Sequence, residues 1–173
     1  MKKNLVLLGM MGVGKSTLGK IVAKKRGLIF IDTDLNIEKK HSMKILEIFE
    51  KKGEEFFRNE EEKEVLNILK KENCIIALGG GAFINKKIRE IVLNKSLSIW
   101  LDVSIEILNN RVQHNQNRPL LKKNDNLEKL RQLYEDRKKI YKLANYKIIC
   151  DDLSKKDITK KIINLYEQHK NNS

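Results

Sequence analysis

Residues 9–17 read Gly9-Met-Met-Gly-Val-Gly14-Lys15-Ser16-Thr17, a full G-x-x-x-x-G-K-[ST] match that lies behind an apolar run and ahead of a helical pattern. Glycines let the backbone wrap until successive N–H groups point inward, and the first turn of the following helix adds partial positive charge. Gly12, Val13, Gly14 and Thr17 are therefore expected to cradle the phosphates of ATP or GTP. Lys15 is expected to reach the outer phosphates, and the Ser16 hydroxyl to ligate Mg²⁺. A phosphate loop does not by itself name a reaction. No Asn-Lys-x-Asp guanine reader is present, since Asn94-Lys95-Ser96 lacks the acid, and large motor domains need a longer chain than 173 residues. A compact kinase for a small acceptor is the reading that remains.

Three further features fit that reading. Ile31-Asp32-Thr33-Asp34 closes the second apolar run. It puts two carboxylates at the carboxyl edge of a sheet, where ligands of open α/β folds bind, and on one face if the segment is extended. One would serve the metal shell and the other receive the acceptor hydroxyl; a helix cap is the alternative role for Asp34. Gly79, Gly80 and Gly81 follow the third run, where they are expected to admit a ligand close to the backbone and to offer N–H donors. Arginine is scarce, seven against 29 lysines. Arg58, Arg118 and Arg137 are candidates to converge on an anionic acceptor and on ATP, because guanidinium takes carboxylate or phosphate bidentately and lysine does not. Glu61, one turn from Arg58, is placed to hold that fork.

The set resembles the shikimate kinases over nearly the whole chain. The resemblance rests on Gly-x-Met-Gly-x-Gly-Lys-Ser-Thr from Gly9, Asp-x-Asp at Asp32 and Asp34, and Gly-Glu-x-x-Phe-Arg-x-x-Glu from Gly53. Gly-Gly-Gly from Gly79, Arg-Pro-Leu-Leu from Arg118 and Arg-x-x-x-Tyr from Arg137 complete it. It implies transfer of the ATP γ-phosphoryl group to the 3-hydroxyl of shikimate, on the route to chorismate and the aromatic amino acids. By matching position, Asp34 would bind the acceptor hydroxyls and accept the proton. Arg58 and Arg137 would clamp the shikimate carboxylate, and the glycine triplet would line its pocket. Ser16 would hold Mg²⁺ directly and Asp32 through water, Arg118 would reach the phosphates from a lid at 113–124, and Arg111 would lie near the adenine. The stretch Arg137-Lys138-Lys139-Ile140-Tyr141 lacks the proline that many relatives carry before the tyrosine, and the lid is unusually polar at Gln113-His-Asn-Gln-Asn117. A gluconate-type kinase is the enzyme alternative, and a nucleotide-dependent nucleic-acid-binding protein is the alternative from another class.

Positioning these residues requires a particular scaffold. Apolar runs at 5–8, 28–31, 74–78, 97–101 and 146–150 are strand-length and continuous rather than alternating, as in strands covered on both faces by helices. Helical patterns are read at 16–26, stopped by Gly27; at 43–52, stopped by Gly53; and at 54–71. Ser104 is a cap for 105–113, Asp125 for a helix to about 143, and Ser154-Lys-Lys-Asp157 a box-like start for the last helix. The expected architecture is α/β: one domain over 1–173, with a five-stranded parallel sheet between helical layers, like a P-loop nucleoside-monophosphate kinase.

Composition bounds the remainder. With 40% hydrophobic and 34% charged residues the chain is expected to be globular, and no apolar run approaches the roughly 18 residues of a membrane span. A net charge of +13 invites a nucleic-acid partner. The lysines, however, sit in pairs along the whole chain, as on solvated helix faces, and no nucleic acid or membrane partner is expected. Met1-Lys2-Lys3 and the apolar stretch behind it mimic an export leader. That stretch runs directly into the phosphate loop, so a cytoplasmic monomer is expected, with Cys74 and Cys150 as buried thiols.

Overall fold

Asn4 to Leu8 is buried at every position, and so are the strands at 74–77 and 96–102, because each lies between two other strands and under helices on both faces. The computed structural model describes residues 4–113 and 126–171, without the side chains of residues 112, 113, 126 and 171. In chain order the elements are β1 (Asn4–Leu8), α1 (Lys15–Arg26), β2 (Ile29–Asp32), α2 (Thr33–His41), α3 (Ile45–Ile68) and β3 (Cys74–Ala77). A 3₁₀ turn (Ala82–Ile84), α4 (Lys86–Lys95), β4 (Ser96–Asp102), α5 (Ile105–Gln113), α6 (Asn126–Tyr141), β5 (Tyr146–Ile149) and α7 (Lys155–Asn171) follow.

All strand pairs are parallel, in the order β2-β3-β1-β4-β5. The chain leaves β1 toward one edge for β2 and β3, then crosses to the other side for β4 and β5. The carboxyl end of β1 is therefore a topological switch point, where such sheets bind ligands. Asn4 fixes the opposite end, its amide donating to the Lys71 carbonyl at 2.7 Å and accepting from Cys74 N at 3.0 Å. Burial on both faces holds for the three inner strands only. The edge strands leave Ile29 and Ile149 more than half exposed.

One helix reading holds, and two helices lie where no pattern was read. The break expected at Gly53 is present: Gly53 has φ 84° and ψ 166°, and the two helical segments of α3 meet there at a kink, the second starting at Glu54. No helical pattern was read over α2 or α4, although a helix behind Asp34 stood as the alternative account of that residue. Each buries only two residues one turn apart, Thr33 and Ile37 in α2, Ile88 and Val92 in α4, too few to mark a period. Because α2 begins at Thr33, Asp34 stands in a helical first turn and not on an extended segment with Asp32. The start of α7 is as expected, with Ser154 Oγ accepting from Asp157 N at 3.1 Å. Asp125 and all but Gln113 of the lid segment lie outside the described residues, and Gln113 itself ends α5.

Candidate active site

The turn from β1 into α1 forms one half of the site. Gly12 and Gly14 take φ of 82° and 97°, and α1 starts with no side-chain cap, so its first N–H groups face the loop. Lys15 folds back over the loop, with Nζ donating to the carbonyls of Gly9 at 2.8 Å and Met10 at 3.0 Å. Ser16 Oγ donates to the Asp32 carboxylate, whose other oxygen accepts from Leu35 N at 3.2 Å and so caps α2. The capping aspartate is Asp32, not Asp34. The Val13 side chain is buried in the core, so its contribution to the loop is its backbone. Arg111 reaches across from α5 and donates to the Gly12 carbonyl at 3.3 Å. A cavity of about 360 Å³ opens here, with Gly12, Lys15, Ser16, Thr17, Asp32 and Asp34 in its wall together with Gly80.

The other half gathers at the glycine triplet behind β3. A Cβ on Gly79 would lie 2.5 Å from Asp34 Oδ1 and 2.6 Å from Glu61 Oε1. One on Gly81 would lie 2.5 Å from Arg58 Nη1, and one on Gly80 3.1 Å from Arg137 Nη1. None of the three has a positive φ. Charged side chains of the protein occupy the space a Cβ would need, a reason for glycine that adds to the expected close approach of a ligand. The Gly79 N–H is in any case taken by Thr33 Oγ1 at 2.9 Å.

Asp34 Oδ1 is buried with no hydrogen-bond partner, and burial first, then the charges of Glu61 and Asp32, push its carboxyl up to about 7. Arg58 donates through Nη1 to Glu61 at 2.8 Å and through Nη2 and Nε to Glu54 at 3.1 and 3.3 Å. Of its five N–H groups two remain, one on each terminal nitrogen. Burial opposes the Arg58 charge, but Glu61 and Glu54 outweigh it and hold its pKa above the ordinary value. For Glu61, 2% exposed, burial wins over Arg58 and raises the carboxyl. Arg137 is 6% exposed, and its Nη1 has no partner.

Helix α3 anchors this half to its neighbours through adjacent acids. Glu60 meets Lys40 Nζ at 2.6 Å, His41 Nε2 at 2.9 Å and Lys63 Nζ at 2.9 Å, tying down the end of α2. Glu62 accepts from Asn85 Nδ2 at 2.8 Å and Lys87 Nζ at 2.6 Å at the start of α4. Sequence reasoning missed Thr33, whose hydroxyl also donates to the Ala77 carbonyl at 3.3 Å and joins α2 to β3. A hydroxyl between two acids gave no separate signal. Arg118 lies outside the described residues.

The family model for shikimate kinase matches residues 11–167. The chain belongs to the shikimate kinase family. A shikimate kinase of Sulfurihydrogenibium sp. is 42% identical over 93% of this chain and 96% of its own, and that of Bacillus subtilis 43% identical over 94% and 88%. The structure of shikimate kinase from Acinetobacter baumannii in complex with shikimate superposes with a TM-score of 0.92 at 33% identity, covering 97% of this chain and 94% of that one. A Sinorhizobium meliloti gluconokinase shares only the fold, at 17% identity and a TM-score of 0.56. Members of the shikimate kinase family are ATP-dependent enzymes of the P-loop α/β class, and the five-stranded parallel sheet conforms to that architecture.

Proposed function

We propose that the chain transfers the γ-phosphoryl group of ATP to the 3-hydroxyl of shikimate, giving ADP and shikimate 3-phosphate. The observation that carries this reading is the pair of unpartnered buried atoms, Asp34 Oδ1 and Arg137 Nη1, set against a glycine triplet beside the phosphate loop. An acceptor with a carboxylate at one end and a hydroxyl at the other satisfies both. In this reading the 12–17 backbone and Lys15 hold the phosphates, and Arg111 borders the nucleotide. Arg58 and Arg137 bind the carboxylate, and the triplet closes the pocket floor. Asp34 accepts the proton as the 3-hydroxyl oxygen bonds to phosphorus and the bond to the β-phosphate oxygen breaks. A carboxyl near pH 7 suits that task. Arg118, on the strength of its Arg-Pro-Leu-Leu motif, stabilises the transferring group from the 113–124 lid.

Among the described residues no cluster of three or more acids, histidines or cysteines could hold a metal alone. Ser16 and Asp32 nevertheless fit Mg²⁺, which takes few protein oxygens and keeps waters and phosphate oxygens. When bound, the ion neutralises charge on the phosphate oxygens. We read the chain as a single catalytic unit, monomeric and cytoplasmic, acting on small molecules and not on nucleic acid; among the described residues no helix is long and apolar enough to cross a membrane. ADP release measured with shikimate, gluconate and nucleoside monophosphates tests the assignment. Turnover with shikimate alone is expected, and preference for another acceptor overturns it.

A further inference from the structure

Tyr141 shares the Arg-x-x-x-Tyr motif with Arg137 but has no part in the chemistry above. Spaced by four, the two residues project from one face of α6. The Tyr141 ring is 1% exposed and lies against Trp100, with centroids 5.9 Å apart. Its O–H donates to the carbonyl of Gly80, and Met10 Sδ of the phosphate loop is 4.0 Å from the same oxygen. The Arg137 guanidinium stands beside the same glycine, its Nη1 3.1 Å from where a Cβ on Gly80 would lie, and its positive charge acts on the phenol oxygen. A hydroxyl that donates to the Gly80 carbonyl keeps its lone pairs for a guanidinium donor. Burial pushes the phenol up to about 12, which keeps its proton in place at any working pH.

We infer that Tyr141 is a positioning residue for acceptor recognition: its hydroxyl holds the Arg137 guanidinium and the Gly80 carbonyl in one arrangement, leaving Arg137 Nη1 aimed at the acceptor carboxylate. Without that hydroxyl the Gly80 carbonyl loses its donor, and the guanidinium, which also feels the Glu61 charge, is free to turn toward the acid. The inference rests on the proposed role of Arg137 as a carboxylate partner.

A double-mutant cycle separates the two claims. Equilibrium binding of shikimate and of ATP is measured by calorimetry for the parent chain, Tyr141→Phe, Arg137→Ala and the double variant. Tyr141→Phe keeps the ring against Trp100, and its ATP affinity reports on folding. It is expected to weaken shikimate binding roughly tenfold or more, the scale of a hydrogen bond to a charged group, while ATP affinity stays within twofold. In the Arg137→Ala background the same change should have almost no further effect on shikimate. The same factor in both backgrounds, or an equal loss for ATP, overturns the positioning role alone. Full shikimate affinity in Arg137→Ala overturns the reading of Arg137, and the inference with it.

Discussion

Asp34 and Glu61 aim their carboxylates at one glycine, so that a single Cβ on Gly79 would come within 2.5 and 2.6 Å of the two acids. Neither can retreat freely. Asp34 is fixed in the first turn of α2 with its Oδ1 buried, and Glu61 is held by Arg58. Gly79→Ala should therefore displace Asp34 from the acceptor hydroxyl and Glu61 from its hold on Arg58, and lower kcat/KM for shikimate about 10²-fold, as misplacement on the ångström scale does. ATP binding should be unaffected. Steady-state kinetics with calorimetry of ATP checks this, and a parental kcat/KM would contradict it.

The state of Asp34 sets a pH dependence. Burial, then Glu61 and Asp32, raise its carboxyl from 3.8 to about 7, and only the ionised form can take a proton from the acceptor. On a pH profile, kcat/KM for shikimate should fall tenfold per unit below about 7, and Glu61→Gln should shift the inflection to lower pH by removing one raising charge. The stability effect has the matching sign. A folded pKa above the unfolded one penalises the folded state as Asp34 ionises, a penalty absent below about pH 4 and complete above about pH 7. Asp34→Asn should thus be the more stable protein at pH 8, by a few kcal/mol at most, and equal to the parent at pH 4. Urea unfolding at the two pH values measures it.

Arg58→Lys tests the carboxylate fork. A lysine cannot hold Glu54 and Glu61 and still present two N–H groups to an acceptor. The change should raise KM for shikimate by about 1.5–3 kcal/mol in equivalent free energy and leave KM for ATP nearly unchanged. Equal effects on the two substrates would remove Arg58 from the acceptor site.

How much of this was legible in the sequence differs by element. The inner strands were, because Leu5 to Leu8 and Ile75 to Leu78 leave no polar position to dilute the signal, and so was the phosphate loop, whose spacing is dictated by its ligand. Helices α2 and α4 were not, since two buried residues on one turn make no pattern. The acids and arginines of the site were named from their motifs, but the reason for the glycines was not. Close approach of Arg58 and Asp34 to Gly81 and Gly79 is a tertiary fact, invisible until α2, α3 and β3 are packed together. Tyr141 was visible only as a motif residue, and its contact with the Gly80 carbonyl is another tertiary fact.

Glu60 gives a stability prediction away from the chemistry. Its hydrogen bonds to Lys40 first, then Lys63 and His41, lower its carboxyl from 4.5 to about 2. A lowered folded pKa contributes stability that is complete above the unfolded value and lost as pH falls through about 2. Thermal unfolding of Glu60→Gln should show a deficit at pH 7 of only roughly 1 kcal/mol, because both partner lysines are more than half exposed. The two proteins should converge near pH 2. A deficit that persists there would assign the effect to packing instead.

Helix α3 assigns adjacent residues to different duties: Glu60 to the end of α2, Glu61 to Arg58 and Glu62 to the start of α4. At 3.6 residues per turn, inserting or deleting one residue between Gly53 and Glu60 would rotate all three by about 100° and hand each carboxylate its neighbour's place. The length of this stretch is thus under as strict a constraint as its composition. Descendants of this chain can exchange individual side chains along α3 one at a time, but a change in its count of residues has no partial form that keeps the acceptor site.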